Sequence, residues 1–462
     1  MAQPEHYEDL VLGSGAGGKL LAWRLAQSGR RTAVVERRWI GGSCPNVACL
    51  PSKNEIWSAK VADLVSHGAQ FGTRPGSFAV NMARVRRRKR DMVDGLVAMH
   101  LDHYKASGAA LIMGTGRFVA PKTLEIALNE GGSQVLTADR VFLNLGTRAT
   151  IPSIPGLAEA APLTHIEALE MGRVPKHLVV LGGGYVGLEF AQAHRRFGAR
   201  VTVIEPGPQL LGREDPDVAA ELGAILEDEG IEIRLATEAV RVDGRSGHGV
   251  RLRVRTAAGE RTIAGSDVLA ATGRTPNVAG IGLDVAGVKL DARGYIDVND
   301  RLETSAPDVW AIGECAGSPQ FTHVSVDDFR IILGNLAGGT RSTRDRLVPY
   351  CLFTDPPLAR VGLNEREARQ RGVAIRVARL PMTGVLRAHA TGEMRGFMKV
   401  LVEAQGDRIL GFAMLGAEAG EVMAAVQTAM LGGLPYTLVR DAILTHPTMA
   451  EGLNELFAAV PA

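Results

Sequence analysis

Two cysteines lie five positions apart in the segment 41–53, Gly-Gly-Ser-Cys-Pro-Asn-Val-Ala-Cys-Leu-Pro-Ser-Lys, where residue types and spacing suggest chemistry. A disulfide needs Cα atoms about 5.5 Å apart. Residues five apart on an ideal helix rise by about 7.5 Å, so Cys44 and Cys49 can pair only at an irregular helix entry, which Pro45 and Pro51 favour. The pair indicates a small redox switch, with two unpaired buried cysteines as the alternative. A zinc site is disfavoured because residues 7–66, around this pair, contain no histidine and no third cysteine.

Two glycine-rich turns must position this chemistry. The first, Gly13-Ser-Gly15-Ala-Gly17-Gly18, and the second, Gly182-Gly-Gly184-Tyr-Val-Gly187, each follow a short apolar run and precede a helical segment. In each case a later apolar run ends in an acid 23 positions after the first glycine of the turn, Glu36 after Gly13 and Glu205 after Gly182. Such glycines let the backbone approach a pyrophosphate at a helix N-terminus, and the acid accepts hydrogen bonds from ribose hydroxyls. Because the whole arrangement occurs twice, we predict two dinucleotide sites.

Composition excludes several other classes of protein. The 462 residues include 52 Lys and Arg against 50 Asp and Glu, whereas a protein dominated by contacts to nucleic-acid phosphates is more basic. The basic run 84–90 has helical spacing and no interleaved aromatic residues, so it predicts a solvated helix face. We find no apolar run long enough for a membrane span and no secretory signal, and four cysteines are too few for a disulfide framework. These features predict a cytoplasmic protein that binds neither nucleic acid nor membranes and holds no structural metal.

The order of these elements predicts four segments. A proline-rich stretch at 151–156 follows a strand and glycine turn at 141–148, and a similar turn follows the strand that begins at Val268. A strand that ends in Gly313 and Glu314 returns the chain to the first cofactor, and 396–403 and 409–415 are predicted to be neighbouring strands. The predicted division is 1–150, 151–274, 275–343 and 344–462.

The cysteine segment, both glycine turns and the C-terminal region together resemble the FAD-dependent pyridine nucleotide–disulfide oxidoreductases, which include dihydrolipoamide dehydrogenase, glutathione reductase and mercuric reductase. The resemblance covers essentially the full length. It implies an α/β fold with two Rossmann-like domains, for FAD (1–150, completed by 275–343) and NAD(P) (151–274). A C-terminal α+β dimerisation domain (344–462) would follow, and the enzyme would be a homodimer.

The resemblance also implies roles for individual residues. Cys49 would be the thiolate that interacts with the flavin, Cys44 the interchange thiol that attacks the substrate, and Lys53 would lie near the flavin, paired with Glu189. The residues that would hold FAD are Gly13, Gly15, Gly18, Glu36, Lys53, Gly116 and Glu314. The residues that would hold the nicotinamide nucleotide are Gly184, Tyr185, Gly187, Glu205 and Gly273, with Tyr185 covering the nicotinamide pocket. Glu205 should repel a 2′-phosphate, so NADH is favoured over NADPH.

The segment 445–451, Thr-His-Pro-Thr-Met-Ala-Glu, resembles the catalytic acid–base element of the same family. Thiol–disulfide interchange needs a group that takes and returns protons, and histidine titrates near the working pH. By this resemblance His446 is the acid–base, Glu451 orients its imidazole, and the histidine reaches the cysteines of the other subunit.

Some features differ from individual members of the family, so the acceptor stays open. Trp23 occupies the place of the substrate-binding arginine of glutathione reductases, and no cysteine follows Cys351, where mercuric reductases carry a C-terminal pair. Cys315 and Cys351 are predicted to be ordinary buried thiols. The favoured function is reduction of a disulfide through Cys44 and Cys49. The alternatives are a metal-ion or quinone reductase with the same electron path, a flavoprotein subunit that docks with a lipoyl carrier protein, and a redox sensor.

Overall fold

A computed structural model describes residues 4–74 and 76–462 of the chain. By backbone contacts these divide into two compact units. The first comprises Met1–Asn54, Arg84–Thr150 and Gly273–Arg346, and the second comprises Glu55–Ala83, Ile151–Thr272 and Leu347–Ala462. The four-segment division therefore stays a prediction of the sequence. Within the described residues we find no helix that is both long and apolar enough to cross a membrane.

The elements up to residue 150 alternate between strands and helices before a run of longer strands. They are β1 (Glu5–Leu12), α1 (Ala16–Gln27), β2 (Thr32–Glu36), α2 (Ser43–Asn46), α3 (Cys49–Ser66), a 3-10 helix (Gly68–Phe71), α4 (Met82–Ser107), β3 (Ala110–Ala120), β4 (Thr123–Leu128), β5 (Ser133–Leu143) and β6 (Thr147–Ala149).

The elements of residues 151–272 repeat the alternation of strands and helices and add a three-stranded meander. They are α5 (His165–Leu169), β7 (His177–Leu181), α6 (Tyr185–Arg196), β8 (Arg200–Ile204), α7 (Pro216–Asp228), β9 (Glu232–Arg234), β10 (Glu238–Arg245), β11 (Gly249–Thr256), β12 (Gly259–Gly265) and β13 (Asp267–Ala270).

The remaining elements complete the first unit and then form the C-terminal part of the second. They are β14 (Arg274–Pro276), β15 (Val309–Ala311), a 3-10 helix (Gly313–Ala316), α8 (Thr322–Leu336), β16 (Tyr350–Leu352), β17 (Leu358–Gly362), α9 (Glu365–Gln370), β18 (Ile375–Pro381), a 3-10 helix (Met382–Gly384), α10 (Leu386–Thr391), β19 (Phe397–Glu403), β20 (Ile409–Leu415), α11 (Ala419–Leu431), α12 (Tyr436–Arg440) and α13 (Gly452–Ala458).

The first unit is built on a parallel sheet in which β1 lies between β2 and β5, with β3 beyond β2 and β15 beyond β5. The long strands β3 and β5 continue past this sheet, where β4 joins them in antiparallel pairing. Every residue of β2 is buried, as are the last four residues of β1, because helices cover both faces of a parallel sheet. The carboxyl end of β1 leads directly into the first glycine turn.

The second unit repeats this plan around a parallel sheet of order β13-β7-β8-β9, with β10, β11 and β12 as a separate antiparallel sheet. Its C-terminal part is a five-stranded antiparallel sheet of order β16-β17-β20-β19-β18. The strands predicted at 396–403 and 409–415 are therefore confirmed as the neighbours β19 and β20. Together the two units confirm the α/β fold with two dinucleotide-binding cores and a C-terminal α+β part.

Helix α4 carries the basic run, whose side chains are mostly exposed, as the sequence predicts. Lys89 is the exception and is only 2% exposed. The reason is helical periodicity, since Lys89 lies seven residues after the buried Met82 on the inner face of α4.

A buried lysine of the second unit lies among three carboxylates. The Lys399 ammonium on β19 lies 2.8 Å from a carboxylate oxygen of each of Asp215, Asp217 and Glu365. The three carboxylates lie close enough together to offer a metal-binding geometry. The lysine occupies the position between the three carboxylates and offsets part of their negative charge, so this cluster is an internal ionic network that joins β19 to α7 and α9.

Candidate active site

The first glycine turn forms one wall of a cavity in the first unit. Gly13 has a φ of +99°, and a Cβ built on it would lie 2.3 Å from the backbone oxygen of Asn144. A Cβ on Gly15 would lie 2.3 Å from the Asn144 side-chain oxygen, and one on Gly18 would lie 2.7 Å from the Gly13 oxygen. Gly13 and Gly15 line the cavity directly. Gly18 instead allows α1 to pack close to the end of β1.

Glu36, at the end of β2, lies at the same cavity and is only 7% exposed. One carboxylate oxygen accepts hydrogen bonds from the backbone N–H (2.9 Å) and the hydroxyl (2.8 Å) of Ser14. The other accepts from the backbone N–H groups of Arg38 (2.8 Å) and Trp39 (3.0 Å). These donors fix an anionic acceptor beside the glycine turn, where a ribose would place its hydroxyl groups.

Gly116 and Glu314 also line this cavity. Gly116 lies on β3 and pairs with Ile126 of β4, and a Cβ there would lie 2.7 Å from a methyl carbon of Leu12. Glu314 accepts a hydrogen bond from the hydroxyl of Thr147 and pairs with Arg274, whose Nε lies 3.2 Å away. A glycine turn at a helix N-terminus, a fixed acid and a second acid that line the same cavity together fit a dinucleotide such as FAD.

The two cysteines lie where one helix ends and the next begins. Cys44 is in the one-turn helix α2, the chain leaves helical geometry at Val47 and Ala48, and Cys49 is the first residue of α3. This is the irregular helix entry that the sequence predicts. Both cysteines are free thiols, and Cys44 lines the cavity. The Sγ atom of Cys49 lies 3.3 Å from the hydroxyl oxygen of Thr322 at the start of α8.

The two thiols ionise differently. The hydrogen bond from Cys44 lowers the pKa of Cys49 to about 6, with further support from the Thr322 hydroxyl and the charge of Lys53. The same hydrogen bond raises the pKa of Cys44 well above its ordinary value, as does burial. At neutral pH, Cys49 is therefore the thiolate and Cys44 the thiol that donates a hydrogen bond to it. Thr322 was not identified from the sequence, which gives no sign that it lies near Cys49.

Lys53 lies one helical turn after Cys49, and its ammonium is 3.4 Å from the Ser52 hydroxyl oxygen. Glu189, on α6 of the second unit, is 6% exposed and accepts a hydrogen bond from the Phe353 N–H at 2.9 Å. The pairing of Lys53 with Glu189 stays a prediction.

The second glycine turn has the same construction as the first. A Cβ on Gly187 would lie 2.2 Å from the Gly182 oxygen, so this glycine brings α6 close to the end of β7. Glu205, at the end of β8, accepts hydrogen bonds from the N–H groups of Gly183 and Gly207, both at 2.7 Å. Gly184 precedes α6 as its N-cap residue. Gly273 belongs to the first unit, and its role at the nicotinamide nucleotide stays a prediction.

Tyr185 opens α6, and its hydroxyl donates a 2.7 Å hydrogen bond to Glu214. Glu214 is 1% exposed, accepts a second 2.7 Å bond from the Tyr350 hydroxyl, and lies 3.3 Å from the Arg360 guanidinium. Burial and the nearby Glu214 carboxylate raise the pKa of Tyr185, so its phenol stays protonated. The sequence predicts a role for Tyr185 but gives no sign of Glu214, which accepts its hydrogen bond, or of Tyr350 and Arg360, which contact Glu214. The role of Tyr185 in covering the nicotinamide pocket stays a prediction.

His446 is exposed, and its Nδ1 lies 2.9 and 3.0 Å from the two carboxylate oxygens of Glu451. Because a carboxylate only accepts, Nδ1 carries the hydrogen in the neutral ring and Nε2 presents its lone pair. The arrangement can therefore take up a proton at Nε2 and stabilise the resulting imidazolium.

Two models of one protein family together match most of the chain. Residues 7–328 match the family model "Pyridine nucleotide-disulphide oxidoreductase", and residues 348–457 match the model of the dimerisation domain of that family. The chain therefore belongs to the pyridine nucleotide-disulphide oxidoreductases, and its homologues are NAD(P)H-dependent flavoprotein disulfide reductases. The family binds FAD and a pyridine nucleotide.

Individual relatives match over nearly the whole chain. The probable pyridine nucleotide-disulfide oxidoreductase RclA of Escherichia coli is 35% identical over 98% of this chain and 99% of its own length. The solved Cu(II) complex of RclA, described as an HOCl-induced flavoprotein disulfide reductase, matches with a TM-score of 0.90 at 33% identity, over 99% of this chain and 100% of that one. The mercuric reductase of Streptomyces lividans is 34% identical over 97% of this chain and 95% of its own length. The mitochondrial dihydrolipoyl dehydrogenase of Pisum sativum is 32% identical over 96% of this chain and 90% of its own length.

Proposed function

We propose that this protein is an NADH-dependent reductase that acts on a disulfide through Cys44 and Cys49. The observation that carries the proposal is that Cys44 lines the cavity that fits FAD and hydrogen-bonds to Cys49, whose Sγ also lies 3.3 Å from the Thr322 hydroxyl oxygen. Cys49 holds the negative charge, while Cys44 holds a proton that it must lose before it attacks. An interchange thiol and a charged partner thiol need this division of roles.

Bound FAD would supply two-electron transfer from the nicotinamide to the Cys44–Cys49 disulfide. After that, the Cys44 thiolate attacks one sulfur of the acceptor disulfide, whose S–S bond breaks to leave a mixed disulfide and one thiolate. Cys49 then attacks Cys44, which re-forms the internal disulfide and releases the second thiolate. Two electrons and two protons reach the acceptor, and the protein returns to its oxidised state.

We propose a homodimer, because residues 348–457 match the dimerisation domain of the family. The acid–base in each active site would be His446 of the partner subunit. It would take the proton from Cys44 and return it to the leaving thiolate. Its exposed ring, held by Glu451 at Nδ1, suits a group that acts on another chain.

Replacing His446 with Gln is expected to lower disulfide turnover by roughly 10² to 10⁴-fold, the usual contribution of a general acid–base. Reduction of the bound flavin by NADH should stay at the wild-type rate, because that step needs no proton from His446. Stopped-flow absorbance separates the two half-reactions. His389, an exposed histidine on α10, provides the control variant H389Q. Equal loss in both half-reactions would contradict the proposed role of His446.

The preference for NADH over NADPH rests on Glu205. Its carboxylate is fixed by two backbone N–H groups at the place where the adenosine ribose would lie, and a 2′-phosphate would meet its charge. We expect kcat/KM for NADH to exceed that for NADPH by at least tenfold, and E205A to reduce this ratio toward one. The control is E238A, an exposed acid on β10 of the same unit. A wild-type preference for NADPH, or an unchanged ratio in E205A, would contradict this assignment.

A metal ion is a second candidate acceptor, favoured by the relatives: one is a mercuric reductase, and RclA has been solved as a Cu(II) complex. Docking to a lipoyl carrier protein is favoured by the relative from Pisum sativum, which is a dihydrolipoyl dehydrogenase. For this chain we propose a free small-molecule disulfide as the first choice, in the cytoplasm.

An acceptor panel tests this proposal. NADH oxidation by the FAD-loaded protein is measured with lipoamide, glutathione disulfide, Cu(II), Hg(II) and a quinone at equal concentrations. A disulfide with the highest kcat/KM supports the proposal. A metal ion or a quinone that exceeds every disulfide by tenfold or more would replace it with the corresponding reductase.

A further inference from the structure

A lysine and a histidine lie beside the redox cysteines in the first unit without a role so far. The Lys19 ammonium, on α1, donates a hydrogen bond to the Gly41 oxygen at 3.3 Å and contacts Nε2 of His100 on α4. The other ring nitrogen of His100, Nδ1, lies 2.6 Å from the Leu96 carbonyl oxygen. A carbonyl oxygen only accepts, so Nδ1 carries the hydrogen and Nε2 presents a lone pair to Lys19. The lysine is therefore the donor to both partners, and they fix its position.

The surroundings hold this pair in place. His100 is only 5% exposed, and a Cβ on Gly41 would lie 3.1 Å from its ring. The Trp23 ring stacks on His100 (6.0 Å between centroids) and on His103 (4.9 Å), and it lies 5.9 Å from the Lys19 nitrogen. Trp23 thereby fills the position where the family resemblance would place a substrate-binding arginine.

The electrostatic partner of Lys19 is a thiol. Burial lowers the pKa of Lys19 to about 8, and the group that opposes this shift is Cys44. The titratable groups that face the lysine are Cys44, from the segment after β2, and His100, with His103 behind it, from α4. In return, the charge of Lys19 lowers the pKa of Cys44 against the effects of Cys49 and burial. Cys44 is a thiol at neutral pH, so the attraction to Lys19 reaches its full strength only once the proton has left and the thiolate has formed.

We propose that Lys19, held by His100, is a positioning residue that stabilises the attacking thiolate of Cys44 from within the same chain. This inference rests on the proposed function, in which Cys44 attacks the acceptor. His446 of the partner subunit would remove the proton, and Lys19 would keep the thiolate available once the proton has left. This division of roles between His446 and Lys19 explains why a cation lies near Cys44, the thiol that is harder to ionise.

The expected pH dependence follows from the charge of Lys19. The ammonium is present below pH about 8 and is lost as the pH rises through that value. Its support for the thiolate is therefore complete near neutral pH and fades in alkali. Removal of the lysine should be most harmful near pH 7 and nearly harmless well above pH 8, a pattern that general loss of structure would not produce.

The test measures how fast Cys44 is alkylated. The FAD-loaded protein is reduced anaerobically with one equivalent of NADH, exposed to iodoacetamide between about pH 6 and 10, and quenched. No Lys or Arg separates Cys44 from Cys49, so the label on Cys44 is distinguished from the label on Cys49 by fragmentation of their shared peptide in the mass spectrometer. In this reaction the thiolate displaces iodide from carbon, so the rate reports the thiolate population. For K19M we expect labelling about tenfold slower at pH 7, corresponding to a rise of about one unit in the pKa of Cys44. The deficit should shrink above pH 8.

Matched variants make the result specific. K19R keeps the charge and should stay within about threefold of wild type, and H100F should lie between K19R and K19M. K105M, at an exposed lysine on α4, should match wild type. Flavin content and reduction by NADH check that each variant is folded. Superimposable pH profiles for K19M and wild type would overturn the role of Lys19. If Cys44 of the wild-type protein is not labelled after NADH, the proposed function itself fails.

Discussion

Replacing Cys44 with Ser is expected to lower disulfide reduction by roughly 10³-fold or more, as loss of a nucleophile does in other enzymes. A serine hydroxyl cannot form the internal disulfide and is a weak nucleophile at neutral pH. NADH should still reduce the flavin, because the dinucleotide cavity and its glycine turn are unchanged. The measurement is steady-state turnover of the best disulfide, with the flavin reduction rate followed separately.

The control for this prediction is C351S. Cys351 lies on β16 of the second unit and is in no disulfide, and it should be replaceable at little cost to turnover. Equal turnover in C44S and wild type would remove Cys44 from the mechanism. Equal loss in C44S and C351S would indicate a general effect of losing a thiol.

Replacing Gly13 with Ala is expected to yield a protein that retains little or no FAD. The added Cβ would lie 2.3 Å from the Asn144 backbone oxygen, and the φ of +99° is one that alanine rarely adopts. The Asn144 backbone oxygen cannot rotate away as the end of a side chain can, so the alanine would displace the glycine turn. The site for the pyrophosphate would move with the turn. The measurement is the ratio of flavin to protein absorbance after purification, and then the affinity for added FAD.

Gly29 offers a close control, because it has a φ of +88° and a Cβ built on it meets nothing within 4 Å. G29A thus carries the same backbone strain without the collision. We expect G29A to retain FAD at the wild-type level despite a loss of about 1 to 2 kcal/mol in stability. If G13A bound FAD as well as G29A does, the first glycine turn would not be part of the cofactor site.

The glycine turns and the acids that follow them could be predicted from the sequence, because both are local. A glycine that needs a positive φ, such as Gly13 or Gly182, is followed at a fixed distance by the strand that carries Glu36 or Glu205. The irregular helix entry at Cys44 and Cys49 could be predicted for the same reason, since helix geometry over five residues already limits how the cysteines can pair.

The partners of these residues could not be predicted, because they come from distant parts of the chain. His100 lies 81 positions after Lys19, and Thr322 lies 273 positions after Cys49. Glu214, which holds Tyr185, occurs in an ordinary charged segment, and only its burial shows its importance. The burial of Lys89 could not be predicted either, because a run of basic residues does not show which of them lies on the buried face of the helix.

Electrons from NADH are expected to come to rest on Cys44 and Cys49, where differential alkylation would detect them. The oxidised, FAD-loaded protein and the same protein reduced anaerobically with one equivalent of NADH are each unfolded in iodoacetamide, and their peptides are weighed. We predict that Cys44 and Cys49 are joined and unlabelled before reduction and both labelled after it, while labelling of Cys315 and Cys351 does not change. If NADH reduced the flavin and labelling of Cys44 and Cys49 stayed the same, the cysteines would not carry the electrons and the account would be wrong.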